Sequence, residues 1–316
     1  VMIIRRARST DVVAAEDGFI VVVTLWLLVG LAALVTVASV YIAQSARALS
    51  TLDAAAQWEM LSSAGVELAA YQLSGPATVR RPSHGHFAFR LANATVRVEY
   101  MSESARINLN MAPASMLSGL FRAVGASTEA ADMYAMRVVA WRSAPKPDGQ
   151  DTELASYRAA GLPYVPRQAP FSSSDELWLV LGLPTALVER TIAFVTVCSG
   201  MAEINVLDAA PEVVAALPNM TSAKLEAFLN QRAELPRDNP EFVIGALGGR
   251  QPGATISASN AYRVRMHITL QDGRQRMPEA VIQMSEPGDP KAFHVLAWTD
   301  EVDPERAGRP RPREGK

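Results

Sequence analysis

Residues 19–43 read FIVVVTLWLLVGLAALVTVASVYIA, and no charged side chain occurs from Gly18 to Ala46. An α-helix rises 1.5 Å per residue, so about 20 apolar residues cross the hydrocarbon core of a bilayer. The run is apolar on every face instead of striped, which predicts a transmembrane helix over 19–43 and not the core helix of a soluble domain. Arg5, Arg6 and Arg8 precede it, and the next basic residue is Arg47. That bias predicts a cytoplasmic N-terminus with the bulk of the chain exported. A secretory signal peptide would carry a shorter apolar region followed by a small-residue cleavage site. Here a lone glycine, Gly18, stands in front of the run.

Composition narrows the classes further. The chain has 316 residues, 49% of them hydrophobic and 20% charged, with 30 basic against 32 acidic side chains. A net charge of −2 argues against a protein that coats nucleic acid. One cysteine, Cys198, excludes an intramolecular disulfide and any zinc or iron–sulfur site built from cysteines of this chain alone.

Beyond the membrane run the pattern divides the chain. Over 44–75 the helix continues: Leu49, Leu52, Ala56, Met60, Ala64, Leu68 and Tyr71 recur at spacings of three and four, a stripe expected to pack on a globular head. Ser74-Gly75-Pro76 ends it. Residues 76–106 form the first part of a β head, because 86–100 (HFAFRLANATVRVEY) alternate apolar and polar about Ala92-Asn93, a hairpin signal. Residues 248–300 form its second part, with strands at Ala261–Leu270, 276–284 and 292–298 and a turn at Gln271-Asp272-Gly273. Between them, 107–247 are rich in helical signals, so the fold class is α+β, an antiparallel sheet interrupted by an α-helical insertion. The Pro- and Arg-rich tail 301–316 reads as disordered.

The insertion contains a repeat. Ile107-Asn108 through Ala112-Pro113 to Leu120 matches Ile204-Asn205 through Ala209-Ala210-Pro211 to Leu217, at an offset of 97. Each copy predicts a short extended segment and then a helix with Pro in or near its first turn. Asn108 and Asn205 are expected to hydrogen-bond neighbouring backbone. Ser174 is the expected N-cap of a helix running to Gly182, and 217–221 lead into a helix over 224–232. These helix–turn–helix pairs resemble helix-hairpin-helix units.

Gly18-Phe19, with a short polar leader before the apolar helix, resembles the prepilin signal that a prepilin peptidase cuts on the cytoplasmic side. The resemblance implies a leader at 1–18 and Phe19 as an N-methylated first residue. Such a cut removes three arginines and three acids (Asp11, Glu16, Asp17), which leaves the net charge at −2. Glu16 and Asp17 stand where basic residues are usual. Pilins and most pseudopilins carry Glu at the position of Val23. A carboxylate inside a bilayer is costly unless paired, and a subunit with nothing assembled above it has no amine to pair with. Val23 therefore points to a tip subunit.

With Trp141-Arg142 and its Pro/Gly-rich sequel, Tyr157–Tyr164, and Asp175-Glu176-Leu177 before Gly182, the chain resembles the K-type minor pseudopilin of bacterial type II secretion systems (the GspK family). The likeness extends from about residue 10 to Trp298. It implies a pilin-like head with a large α-helical insertion and a single pass through the bacterial inner membrane, with the C-terminal domain in the periplasm. It also implies a place at the tip of the pseudopilus, with the I- and J-type minor pseudopilins, the major pseudopilin and the prepilin peptidase as partners. An insert of about 140 residues would clash inside a packed fibre but not at its end.

Residues 143–170 read as a long loop, and loops of this length are often functional. Asp151 and Glu153 are its calcium candidates, since calcium takes six to eight oxygen ligands and some relatives bind it in this domain. The acidic positions usual in the family after Trp141 are absent here. Besides calcium, no cofactor is expected. His84 and His86, with only His267 and His294 besides, do not make a zinc site. Neither a Gly-x-Ser-x-Gly elbow nor a phosphate-binding glycine loop occurs, so no enzyme is expected. The rival reading is a membrane-anchored periplasmic DNA-binding helix-hairpin-helix protein. Against it, the turn Gly182-Leu183-Pro184 has a proline, which lacks an N–H, where a second donor would sit, and basic residues do not cluster there.

Overall fold

The computed structural model describes residues 16–75, 81–145, 151–286 and 288–300. Most of the leader 1–18 and the whole tail 301–316 lie outside the described residues. The elements follow in order: helix α1 (Glu16–Leu73), strands β1 (His84–Leu91), β2 (Ala94–Ser102) and β3 (Ile107–Asn108), then helices α2 (Ala114–Ala123), α3 (Thr128–Arg142), α4 (Thr152–Ala159) and α5 (Thr185–Thr191). Next come β4 (Val195–Thr196), β5 (Ile204–Asn205), α6 (Pro211–Ala215), α7 (Ser222–Gln231), α8 (Pro240–Ala246) and β6 (Ala254–Thr255). The sheet is completed by β7 (Ala261–Leu270), β8 (Gln275–Arg276), β9 (Glu279–Met284) and β10 (Phe293–Thr299).

Two compact units divide at Met60/Leu61. In the first, Phe19–Ile42 is long and apolar enough to cross a membrane, and none of it is buried.

The second unit begins with the last three turns of α1. Leu61, Ser62, Gly65, Val66, Ala69, Ala70 and Leu73 are buried, a stripe of period 3.6. They cover one face of the antiparallel sheet β1-β2-β7-β9-β10. Val96, Val98 and Tyr100 of β2 stand opposite Ile268, Met266 and Val264 of β7, and all are buried. Gly65 lets the helix approach: a Cβ there would lie 2.7 Å from Met266 Sδ. The other face carries the alternate residues, among them exposed Arg97, Glu99 and Arg265. The β1–β2 turn holds Ala92 and Asn93 at φ 47° and 61°, the paired left-handed residues of a type I′ hairpin.

The buried helical stripe is not the expected one. Met60, Leu68 and Tyr71 face outward, 44%, 39% and 79% exposed. This stretch has two apolar stripes, and periodicity alone cannot choose between them. The sheet takes the one with the small residues Ser62, Gly65, Ala69 and Ala70, because small residues let helix and sheet approach closely.

All the elements from β3 to β6 lie between β2 and β7, so the sheet is interrupted as expected of an α+β fold. They enclose their own core, which includes Ile107, Leu117, Leu120, Phe121, Trp141, Tyr157, Val213, Val214 and Phe228. Inside the stretch 143–170, expected to be loop, Thr152–Ala159 is helical, started by Asp151 as its N-cap. At 174–179 the chain forms a 3₁₀ helix and not the α-helix expected, and its cap is Ser173, whose hydroxyl accepts from Asp175 N. The helix expected over 224–232 is present as α7, capped by Thr221.

Candidate assembly surface

The two repeat copies are built alike. Asn108 Oδ1 accepts from Asn110 N at 2.8 Å, and Asn205 Oδ1 accepts from Leu207 N at 3.1 Å. Each asparagine also donates through Nδ2, to Ser199 Oγ and to Asp208 Oδ2 respectively. Each extended pair joins a parallel two-residue partner, β3 with β4 and β5 with β6. The equivalent alanine of each copy gives its carbonyl to an arginine: Arg142 donates to Ala112 O at 2.7 Å, and Arg232 to Ala209 O at 2.6 Å. Arg142 also donates to Leu109 O. The two helices meet at Gly119 of α2, where an added Cβ would lie against the carbonyl of Ala216. Ala216 is the repeat equivalent of Gly119, at the same offset of 97, so the halves pack about a local pseudo-twofold axis.

Sheet and insertion are joined through Glu103, in the 3₁₀ turn after β2. Its carboxylate, 1% exposed, accepts from Thr196 of β4 and from Arg263 of β7, with Arg263 Nε at 2.8 Å. Arg263 also pairs with Glu279, which Arg265 holds from its other side at 2.6 Å. Burial alone would raise the Glu279 carboxyl, but the two guanidiniums outweigh it and hold it below the ordinary carboxylate range. A second link lies at the surface, where Asp208 receives His84 Nδ1 at 2.8 Å and Arg237 at 2.7 Å.

The expected calcium residues hold protein groups. Asp151 Oδ1 accepts from Leu154 N at 2.9 Å, and Oδ2 accepts from Gln168. Glu153 Oε2 pairs with Arg137 at 2.9 Å, while its Oε1 is buried without a partner. Among the described residues no group of three or more His, Cys, Asp or Glu is placed to hold a metal. His84 and His86 share the outer face of β1 with His86 exposed, and His294 pairs with Asp289 at 3.0 Å. Beside α4, Trp141, Tyr157, Phe171 and Tyr164 form an aromatic cluster with centroids 5.9–6.2 Å apart. Burial pushes the Tyr157 phenol up to about 12, and its oxygen accepts from Leu181 N at 2.7 Å.

Phe19 and Val23 lie on the exposed apolar part of α1, which already runs through Gly18. The outward stripe of Met60, Leu68 and Tyr71 sits on the same helix. It is the apolar surface that the sequence marked for packing and that the fold leaves free. The turn Gly182-Leu183-Pro184 has Gly182 at φ 82°, and Pro184 is the N-cap of α5, so the helix start offers no N–H at that position.

Residues 91–200 match the family model described as type II secretion system (T2SS), protein K. Over these residues the chain is similar to protein K of type II secretion systems. The matched segment runs from the end of β1 through the Glu103 turn and the first repeat copy to β4, so it includes the junction just described. A chain in the crystal structure of the GspK-GspI-GspJ complex from the enterotoxigenic Escherichia coli type 2 secretion system has a similar fold. Its TM-score is 0.58 at 17% identity, over 80% of this chain and 99% of that one. No curated protein matches the chain by sequence. The matched segment thus begins inside the β head and ends inside the insertion.

Proposed function

We propose that this chain is a minor pseudopilin at the tip of the type II secretion pseudopilus, where it caps the fibre and assists export of folded proteins across the outer membrane. The observation that carries the reading is the free apolar stripe of α1. Helices of pilin-like subunits associate side by side, and this stripe presents Leu68 and Tyr71 on a head already satisfied on its own sheet. The bulk of the insertion supports an end position, because a helical domain between β2 and β7 leaves no room for a copy stacked above it.

The partners are the I- and J-type minor pseudopilins, by analogy with the complex in which the similar chain was solved. The chain crosses the inner membrane once at Phe19–Ile42 with its head in the periplasm, and acts by binding, not catalysis. Prepilin peptidase cuts after Gly18 and Phe19 is N-methylated; intact-mass measurement after co-expression with the peptidase checks both. Val23 suits a subunit with no amine above it to neutralise a glutamate. Calcium has no part in this reading: both oxygens of Asp151 and Oε2 of Glu153 are held by protein donors.

The deciding experiment is co-purification of the full chain, in detergent, with the system's I- and J-type pseudopilins. A stable ternary complex is expected. A chain that ignores both partners would sink the tip reading and put duplex-DNA binding at low salt next in line.

A further inference from the structure

A cavity of about 220 Å³ opens on the outer face of the sheet beside the junction, lined by His84, His86, Glu99, Glu103, Arg106 and Arg263 among others. Three arginines (Arg106, Arg263, Arg265) meet three glutamates (Glu99, Glu103, Glu279) around it, but they are not all paired. Arg263 is shared by Glu103 and Glu279, Arg265 pairs with Glu279, and His84 is taken by Asp208. Arg106 follows Glu103 by three residues, and its backbone N–H closes that turn on Glu103 O at 3.1 Å. Its guanidinium makes no hydrogen bond or salt bridge with any described residue, although it lines the cavity. Burial and the neighbouring charge of Arg263 press its pKa down to about 10, so it is a cation held at a cost and without a ligand. The nearby carboxylates that act on it, Glu103 and Glu279, are already committed to Arg263 and Arg265.

We propose that this cavity is a receptor for one carboxylate, taken by the Arg106 guanidinium and supplied by an acidic side chain of a neighbouring subunit in the assembly. A planar guanidinium with free N–H groups binds a carboxylate in a fork, by two parallel hydrogen bonds. The surroundings favour a monoanion: Arg106 is the arginine of the lining that has no salt bridge with a described residue, and Glu99 already stands on the rim. A phosphate dianion would leave a negative charge facing Glu99 and Glu103. The site lies where sheet and insertion meet, so a partner side chain entering it would touch both parts of the head.

The source of the carboxylate rests on the assembly reading; the affinity of the cavity does not. The test titrates the full chain in detergent with glutarate and, separately, with inorganic phosphate, by calorimetry and by the shift in melting temperature. Wild type is expected to bind glutarate, and Arg106→Gln to weaken it at least about tenfold, the scale of a lost charge-assisted hydrogen bond. Arg106→Lys, which keeps the charge but not the fork, should fall between. Because the Arg106 guanidinium makes no hydrogen bond or salt bridge with a described residue, Arg106→Gln should melt no lower than wild type without ligand, which separates binding from folding. Binding of phosphate alone, no binding of either, or equal glutarate affinity in Arg106→Gln would each overturn the proposal. Co-purification with the I- and J-type partners gives the second arm. If Arg106→Gln binds no glutarate yet co-assembles like wild type, the carboxylate is not a partner's and that half of the proposal falls. If wild type itself fails to co-assemble, the tip reading fails, while the glutarate titration still judges the cavity.

Discussion

Gly119 is the position where one added carbon should do the most damage. It lies in the middle of α2, a place where glycine is unfavourable by about 1 kcal/mol relative to alanine on helix propensity alone. A Cβ there would press on the Ala216 carbonyl oxygen and lie 2.9 Å from the carbonyl carbon and Cα of the same residue. Optimal carbon–carbon contact is about 3.5–4.0 Å, so α2 and α6 would have to part by roughly half an ångström or more. Both are backbone-to-backbone neighbours that carry buried residues on either side, Leu117 and Leu120 on one and Val213 and Val214 on the other. Overpacking of this kind typically costs about 1–3 kcal/mol and occasionally more, and contact with rigid backbone belongs at the upper end. After the propensity gain, Gly119→Ala should lose about 2 kcal/mol. Gly245 is the control: it lies in α8, and nothing comes within 4 Å of a Cβ built there. Gly245→Ala should be neutral or stabilising by up to about 1 kcal/mol. Thermal melts of the two variants should therefore move in opposite directions. At about 2–4 °C per kcal/mol for a unit of this size, Gly119→Ala should melt about 4–8 °C below wild type. If Gly119→Ala melts with or above Gly245→Ala, the close crossing at the repeat axis is not real.

Three further outcomes follow from the geometry. Asn108→Ala and Asn205→Ala each leave a backbone N–H and a second buried partner unsatisfied, so each should destabilise by about 1–3 kcal/mol in denaturant titrations, with similar values for the two copies. Glu279 is held ionised by Arg263 and Arg265, so its contribution is complete above the ordinary carboxylate range and is lost as pH falls through its depressed value. Glu279→Gln should thus lower stability at neutral pH by about 3 kcal/mol and flatten the acid limb of the pH–stability curve; an unchanged acid limb would show that another carboxylate controls it. Tyr71→Asp, on a side chain 79% exposed, should leave the melt within about 0.5 kcal/mol of wild type and abolish co-purification with the partner pseudopilins.

The parts of the fold that the sequence discloses are those fixed by local rules. Strand alternation over 86–100 and Ala261–Leu270 is written into the chain because one face of each strand meets a helix and the other meets water. The turn at Ala92-Asn93 is legible from the alternation on either side of it and from Asn93, a residue that tolerates positive φ, whereas Ala92 carries no such mark. The repeat is legible because two copies answer the same local problem with the same asparagine. Other features depend on distant partners. Glu103 and Arg263 are 160 residues apart, and nothing near either marks the pair. Arg142 and Arg232 sit at different distances from the carbonyls they hold, 30 residues in one copy and 23 in the other, so the repeat offset does not reveal them. Asp151 looks the same in sequence whether it ligates a cation or caps a helix; a first-turn acid, Glu153, after it was the available sign of a cap.

The two stripes of α1 carry the larger lesson. A helix that packed only on its own head would need one apolar face, and its outward face could be as polar as the outer face of the sheet. Here the inward face sets the small residues Ser62, Gly65, Ala69 and Ala70 among Leu61, Val66 and Leu73, and the outward one keeps Leu68 and Tyr71. Each large apolar side chain left in water forgoes about 1.5–3 kcal/mol that burial would return. Two of them on one face of α1, in a head whose sheet and insertion each already have a core, are the surface on which the proposed packing of a second helix rests. The apolar surface on α1 and the cation at Arg106 are then the same kind of evidence. Each is a group the fold holds in place without a partner among the described residues, and the proposed assembly would supply one.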